Sequence, residues 1–500
     1  MKWVILGKFP KIPSEKSTIK LRNLKRVVDR IKLSIKKQEP VIVYGDYDAD
    51  GICATAIVWE TLHSLGAKVM PFIPAREKEG YGLSVEGIKN IANCSLLIVV
   101  DSGIVADEAV DFANSQNMDV IILDHHEKPK KLPKAFAIIH TEKLCASGIA
   151  YFLAKEFNKN YVDLAAIATV TDLMPLTGVN RKIVKEGLEI LNKTSRVGLK
   201  ALFETAGIKK VGTYEIGYLI GPRLNASGRM ESALTALRLL CTKNPQKAKE
   251  LAELLNKTNK ERQVLVEEQS SHALKNVSPE GKIIVLEHES YHQGIIGLIA
   301  GKLTEKYYLP AIVISKGETV SKASARSISG FNIIEAIRSC ENLLLNAGGH
   351  PMAAGFTIET AQISNFKFQI SNYANKNITD NLLEKTLKID CELKIEEINM
   401  KLYEKIQELA PFGMGNPEPV FASVVTVKNI RTVGTESKHL KLVIASEAKQ
   451  SSFDAIGFNL GSLAAKLKIG DKISVAYNLD LNIFNGRENL QLKLKDVRLG

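Results

Sequence analysis

Near the start of the chain, three short aliphatic runs lead straight into acidic turns, and this pattern constrains the fold more than any other. Val41-Ile42-Val43-Tyr44 enters Gly45-Asp46-Tyr47-Asp48-Ala49-Asp50-Gly51, residues 96–100 enter Asp101-Ser102-Gly103, and residues 120–123 enter Asp124-His125-His126. Apolar runs this short, without polar alternation, suit strands buried on both faces. A helix is expected between the first two, over about 53–65 and ending near Gly66. Strands alternating with helices predict βαβ units around a parallel sheet. Ligands of such sheets bind beyond the C-terminal ends of the strands, and that is where these acids fall. An Ala-rich helix over 161–170 closes the region and carries Asp172 just past its end.

Asp46, Asp48 and Asp50 repel one another unless a cation sits among them. Their spacing matches the opening of an EF-hand loop. However, loop position twelve would be Ile57 rather than Glu, and a strand precedes the loop instead of a helix. One such aspartate would be a helix cap or turn residue. Three strands delivering acids and imidazoles to one sheet edge, with Asp172 beside them, point to a metal site. Carboxylates and imidazoles without thiolate favour Mn²⁺ or Mg²⁺ over structural Zn²⁺. The number of acids suits two ions, which together activate a water and stabilise an in-line phosphoryl displacement. The residues thus imply metal-assisted hydrolysis of a phosphoester or phosphoanhydride. His125 and His126 must lie on a turn if both face this site, because neighbours on a strand point opposite ways.

The rest of the chain has room for several domains. Its 500 residues are 45% hydrophobic and 24% charged, with mean hydropathy near zero at −0.03. Lys plus Arg exceed Asp plus Glu by 67 − 55 = 12, for a pI near 9.1, which suits a polyanionic partner. The six cysteines are scattered without a Cys-x-x-Cys pair, which argues against a disulfide framework and a thiolate zinc site. No stretch approaches the roughly 18 apolar residues of a membrane span. The run at Trp3-Val4-Ile5-Leu6 is too short for a secretory signal, so a cytoplasmic protein without a membrane partner is expected. Leu21, Leu24, Val28, Ile31 and Ile35 predict an amphipathic helix with Lys25, Arg26, Arg30, Lys32, Lys36 and Lys37 on its outer face. A long charged helix is expected over about 244–275, a second αβ region over about 282–370, and a β-rich barrel or sandwich in the tail.

Taken in order, Asp-x-Asp-x-Asp-Gly, Asp-Ser-Gly, Asp-His-His and Thr171-Asp172 resemble the motifs of the DHH phosphoesterase superfamily. Further segments narrow the resemblance. These are Gly221-Pro222-Arg223-Leu224-Asn225-Ala226-Ser227-Gly228-Arg229-Met230, Tyr291-His292-Gln293-Gly294-Ile295-Ile296-Gly297, Ser324-Ala325-Arg326-Ser327, Gly348-Gly349-His350 and Pro411-Phe412-Gly413-Met414-Gly415-Asn416-Pro417. Together they resemble the RecJ family, bacterial single-strand-specific 5′→3′ DNA exonucleases, from about residue 40 to the end.

The resemblance implies an α/β architecture. A DHH parallel-sheet catalytic domain would span 1–230, connecting helices 231–278, and a DHH-associated αβ domain with its Gly-Gly-His loop 279–376. An OB-fold that holds single strands would span 381–500. The resemblance also implies metal binding by Asp46, Asp48, Asp50, Asp101, Asp124, His125, His126 and Asp172, and leaves open which of the first three ligate directly. Asp48, Asp124 and His126 would carry the catalysis, one histidine ligating while the other stabilises the scissile phosphate. Terminal-phosphate and DNA contacts fall to Arg76, Arg223, Arg229, Ser324, Arg326, Gly348, Gly349 and His350. Ser324 and Arg326, two apart on a strand, would share a face.

In the tail, Phe421, Phe453, Phe458, Tyr477 and Phe484 offer two stacking platforms at most, with Lys428, Arg431, Lys438 and Lys441 nearby. The implied partner is single-stranded DNA, with a helicase and a single-strand-binding protein as family associates and a monomer as the assembly. Two segments depart from the family pattern, His140-Thr141-Glu142-Lys143 and the polar stretch 445–452. Two alternative readings remain. One is a phosphodiesterase for short oligoribonucleotides or cyclic dinucleotides, which the β-rich tail disfavours. The other is an inactive strand-binding relative, which the full set of acids disfavours.

Overall fold

A computed structural model gives the fold of residues 1–15, 18–75, 82–278, 281–446, 452–484 and 486–499. The chain divides into two compact units, residues 15–383 and residues 1–14 with 384–500. Strand β1 (Lys2–Ile5) belongs to the second of these.

The larger unit begins with β2 (Pro40–Tyr44), β3 (Lys68–Phe72), β4 (Leu96–Val100), β5 (Asp119–Asp124) and β6 (Ala137–His140). They form one parallel sheet in the order β3-β2-β4-β5-β6. The apolar runs are unbroken because both faces are covered. Along β4, Leu96, Ile98 and Val100 enter a core shared with Ile52 and Ile149, while Leu97 and Val99 enter the opposite core with Val110 and Ile122.

The first helix, Leu24–Lys37, forms as expected, but Arg30 is not on its basic outer face. Arg30 follows Val27 by three residues and so shares the buried side. Only 8% exposed, it donates to Asp119 Oδ2 at 2.6 Å and to Glu39 Oε2 at 2.7 Å.

The 32-residue helix Pro245–Asn276 is N-capped by Asn244, whose side chain accepts from the Lys247 N–H at 3.1 Å. It leads to a second sheet of β7 (Ile284–His288), β8 (Ala311–Ser315), β9 (Val320–Arg326), β10 (Leu344–His350) and β11 (Ala353–Glu359), ordered β10-β11-β9-β8-β7. Only β7 and β8 run parallel. Gly348, Gly349 and His350 are not a loop. They end β10 opposite Gly355, Ala354 and Ala353, and the turn that follows is Pro351-Met352. Because β10 is an edge strand, one side of its backbone is left for another partner.

The smaller unit holds β12 (Thr386–Ile389), β13 (Cys391–Glu392), β14 (Phe421–Val433), β15 (His439–Ala445), β16 (Ser452–Gly457), β17 (Lys472–Phe484) and β18 (Arg487–Leu499). The first half of β14 pairs with β17 and its second half with β15, so the strands close into a five-stranded barrel, an OB-fold. Strand β1 pairs in parallel with β12. Trp3 packs on Ile389, Ala422 and Ala476 and donates from Nε1 to Asp496 Oδ2 at 2.7 Å. Residues 1–14 therefore leave the domain to which the sequence assigned them, because a four-residue strand carries no mark of a partner so distant in sequence.

Of the tail's rings, Phe421 and Tyr477 are wholly buried, Phe453 packs partly on the core, and Phe458 is 54% exposed; the Phe484 side chain lies outside the described residues. Lys438 pairs with Glu436 and Lys441 with Asp454. Ala445 and Ser452 pair across the β15–β16 ladder, and residues 447–451 of the polar stretch lie outside the described residues. Among the described residues, no helix is long and apolar enough to cross a membrane.

Candidate active site

The chain leaves β2 at Tyr44 and enters the helix Ala49–Ser64 with Asp48 as N-cap. Asp48 Oδ1 accepts from the N–H groups of Asp50 at 2.9 Å and Gly51 at 3.0 Å. The helix therefore starts four residues before the expected Cys53, because the acidic turn itself caps it. Asp50 accepts from the Ala146 N–H at 2.7 Å and the Ser147 N–H at 2.8 Å, at the start of the helix Ala146–Lys155. That positive end of a helix favours a fixed carboxylate. The helix Gly221–Met230 approaches from the other side, where Asn225 Oδ1 accepts from the Ala49 N–H at 2.7 Å. Its Gly228 lies so near the Tyr47 backbone that a Cβ there would collide with it.

The next two strands bring the remaining groups. Asp101 follows β4 with φ 61°, a left-handed conformation that Asp tolerates better than most residues. Its Oδ1 is buried without a hydrogen-bond partner. Asp124 ends β5, and both of its oxygens are engaged. Oδ2 accepts from the Ile104 N–H at 2.9 Å, and Oδ1 accepts from the His125 and His126 N–H groups and from His126 Nδ1 at 2.8 Å.

Among the described residues, three groups have the geometry to hold an ion: Asp46–Asp48–Asp101, Asp50–His125–Asp172 and Asp101–His125–His126. Seven of the eight expected ligands thus converge, and Asp124 stands behind them as the support of His126. His125 and His126 lie past the end of β5 with ring centroids 4.7 Å apart. His125 Nε2 sits 3.2 Å from Asp101 and 3.7 Å from both Asp50 and Asp172.

The electrostatics require positive charge. Burial, then Asp50, Asp48, Asp46 and Asp172, push the Asp101 carboxyl well above the usual range. Burial, then Asp50 and Asp48, push Asp172 up to about 9. Burial works against Asp124 too, but the hydrogen bond and charge of His126 and the backbone amides hold it down to about 2. In return Asp124 overcomes the burial of His126 and raises it to about 9. An all-oxygen-and-nitrogen donor set with a buried orphan oxygen fits hard divalent cations. The nearby thiols are no competitors: burial first, then Asp50, keep Cys53 and Cys145 well above their ordinary range and protonated.

Beside the acids lies a cleft of about 220 Å³. Asp46, Tyr47, Asp48, Asn225 and Arg229 form one wall, and Gln293, Gly294, Gly297, Ser324 and Arg326 the other. Arg229 Nη1 crosses it to the Gly294 carbonyl at 3.1 Å. Ser324 and Arg326 share one face of β9, as their spacing predicts, and Arg326 Nη1 donates to the Ala325 carbonyl at 2.8 Å. Burial lowers the Arg326 pKa, and among the described residues no carboxylate pairs with it, so this guanidinium is short of an anion. At the end of β10 the His350 ring stacks on that of His126, with centroids 5.7 Å apart and planes 15° from parallel.

Comparison with known proteins bears on this arrangement directly. Residues 40–170 match the family model of the DHH family, N-terminal domain, residues 280–376 the DHHA1 domain, and residues 389–496 the RecJ OB domain. The single-stranded-DNA-specific exonuclease RecJ of Thermus thermophilus is 32% identical over 96% of this chain and 71% of its own length. The chain belongs to the RecJ family of exonucleases.

The RecJ of Bacillus subtilis is 36% identical over 95% of this chain, which spans 63% of that relative's length. A crystal structure of RecJ in complex with Mn²⁺ from Thermus thermophilus superposes with a TM-score of 0.87 at 28% identity, covering 100% of this chain and 80% of that one.

Of the residues assigned by resemblance to RecJ, Arg223 is not among those that line the cleft. Arg76 lies outside the described residues. Arg223 turns to the long helix, where Nε and Nη2 donate to Asn256 Oδ1 at 3.2 and 3.0 Å and Nη1 donates to the Leu219 carbonyl at 2.8 Å. The segment that departs from the RecJ pattern also has a role, since His140 Nε2 donates to the His126 carbonyl at 2.7 Å. Sequence reasoning quoted Asn225 and Gln293 within motifs without assigning them to the site. It passed over the amides of Ala146, Ser147 and Ile104, because a backbone N–H carries no residue-type signature.

Proposed function

We propose that this RecJ-family chain hydrolyses single-stranded DNA from the 5′ end and releases 5′-mononucleotides, in repair and recombination. The observation that carries this is the cleft itself, with carboxylates and imidazoles along one side and the anion-short Arg326 with Ser324 on the other. A 5′-terminal phosphate held by Ser324, Arg326 and Arg229 would fix the scissile phosphate opposite the acids. That arrangement explains both the polarity and the stepwise products. Guanidinium suits such an anion because it donates in a planar fork.

Asp46, Asp48, Asp50, Asp101, His125 and Asp172 would hold Mn²⁺ or Mg²⁺, with room for two ions. Bound there, such ions lower the pKa of water and draw charge from the phosphoryl oxygens. Asp124 keeps His126 protonated and oriented. From that position His126 and the stacked His350 donate to the phosphate, and His126 can supply the proton that the departing 3′-oxygen takes up. Gly348 and Gly349 bring the β10 edge close to the same place.

In this reading residues 15–230 carry the chemistry, 231–278 connect, 279–376 grip the terminal phosphate, and the barrel over 381–500 with residues 1–14 holds the strand. The enzyme acts in the cytoplasm as a monomer, beside a helicase and a single-strand-binding protein, as RecJ membership suggests.

The test is a single-stranded oligomer labelled at its 3′ end, incubated with Mn²⁺ and the protein or its Asp101→Asn variant. Shortening from the 5′ end that the variant abolishes supports the reading. Turnover of dinucleotides without attack on DNA would move the assignment to short-oligonucleotide phosphodiesterases, and strand binding without any hydrolysis would leave a binding protein.

A further inference from the structure

The helix that lines the cleft is entered through a π-helix, Ile216–Ile220, preceded by a short turn at Thr213–Glu215. π-Helical turns are rare and concentrate at functional sites. Here Ile216 and Ile220 are buried, and the opposite side presents Tyr214 and Tyr218, 62% and 68% exposed. Four residues apart, the two rings stack on each other with centroids 4.8 Å apart and planes 28° from parallel. Neither hydroxyl makes a hydrogen bond among the described residues. Two large rings braced together in water form a flat apolar face that folding alone would have buried.

The chain that carries this pair runs directly into the cleft. The π-helix continues into Gly221–Met230, whose Asn225 and Arg229 line the cleft. A Cβ on Gly221 would collide with Thr171 Cγ2, so the end of the π-helix rests on the neighbour of Asp172. Lys209 and Lys210, both exposed and without an ion pair among the described residues, precede the rings in the chain. A polyanion carrying aromatic bases complements both the charge and the rings.

We propose that Tyr214 and Tyr218 form a stacking platform for a base of the single strand next to the hydrolytic site. The proposal rests on the reading of the chain as a single-strand nuclease and adds a base contact to it. Stacking accepts any base, since every base has a π-face, and a nuclease that must traverse any sequence needs that tolerance. The carboxylates and Arg326 act on phosphate, so the tyrosines supply the contact that distinguishes a strand bearing bases from a bare sugar–phosphate chain.

The experiment is a non-additivity cycle on the full chain. Binding of fluorescein-labelled thymidine oligomers, normal or abasic in the nucleotides nearest the 5′ end, is measured by anisotropy for wild type and Tyr214→Ala/Tyr218→Ala. The double substitution should weaken binding of the normal oligomer about tenfold or more, the scale of one stacked base. Removing the bases should weaken wild-type binding similarly, and the two losses should not multiply. Tyr214→Phe/Tyr218→Phe, which keeps the rings, should bind within about twofold of wild type, which separates stacking from misfolding.

Equal binding by wild type and the alanine variant would overturn the proposal, as would losses that multiply on abasic DNA. Shortening of the oligomer is recorded separately. Wild-type binding without shortening would refute the nuclease reading and leave the platform to be judged by the cycle alone.

Discussion

The His350 ring lies within 15° of parallel to that of His126, 5.7 Å away, so the tip of the β10–β11 hairpin meets an imidazole that follows β5 of the other sheet. Each side is incomplete alone: one contributes the acids with His125 and His126, the other His350, Ser324 and Arg326 without acids. His350→Ala should therefore reduce kcat on single-stranded DNA by about 10²-fold, the scale of one lost transition-state donor. The thermal midpoint should hardly move. Steady-state kinetics beside a melting curve checks this, and a loss confined to KM would show that His350 only binds.

Asp124 spends both oxygens on holding its neighbours. Asp124→Asn should let the His126 pKa fall from about 9 towards its ordinary 6.5, followed by NMR titration of the ring protons in metal-free protein. The sign for stability follows from both partners, which share one interaction. The raised histidine stabilises the fold below 6.5 and ceases to as pH rises through about 9, whereas the depressed aspartate stabilises it above 3.8 and ceases to as pH falls through about 2. Wild type should thus gain most from the pair between about pH 4 and 6.5, and the variant should lose that gain.

Asp101 gives a substitution whose effect should change sign with metal. Buried among like charges, it favours its protonated form in metal-free protein, as does Asp172 at about 9. The folded state then binds more protons than the unfolded one, so metal-free stability should decline as pH rises from about 4 towards 9. Asp101→Asn should raise the melting temperature of chelated protein and abolish the stability that Mn²⁺ adds to wild type, which should be about 2.7 kcal/mol at a hundred times the Kd. Calorimetric scans with EDTA and with Mn²⁺ decide it.

Arg326 and Arg223 differ in what they face. Arg326→Ala should erase the preference for a 5′-phosphate over a 5′-hydroxyl end, a change of about 10- to 100-fold in KM if one charge-assisted contact is lost. Arg223→Ala should leave that ratio near its wild-type value and lower the melting temperature, since its bonds go to Asn256 and Leu219. Paired KM measurements on the two ends separate the roles.

What the sequence revealed followed physical necessity. The runs ending at Tyr44, Val100 and Leu123 had to be two-sided strands, because alternation was missing, and the acids at their ends had to meet because parallel neighbours end together. Asp172 was legible through the Ala-rich helix before it. Other features depended on partners without a signature. Asp50 is fixed by amides nearly a hundred residues away, Asp124 accepts from the His126 ring and from backbone amides, and Arg30 is buried by two acids that only folding brings to it. The Gly-Gly-His motif was visible, but that it ends an edge strand depended on the register with β11.

The pairing of β1 with β12 bears on the order of synthesis. Lys2–Ile5 leave the ribosome well before their partners Thr386–Ile389, and Trp3 also waits for Asp496. At about 5–20 residues per second the opening strand stays unpaired for roughly 20 to 80 s while the whole 15–383 unit is made. The larger unit is in effect an insertion within the smaller one, so the barrel's own assembly closes last.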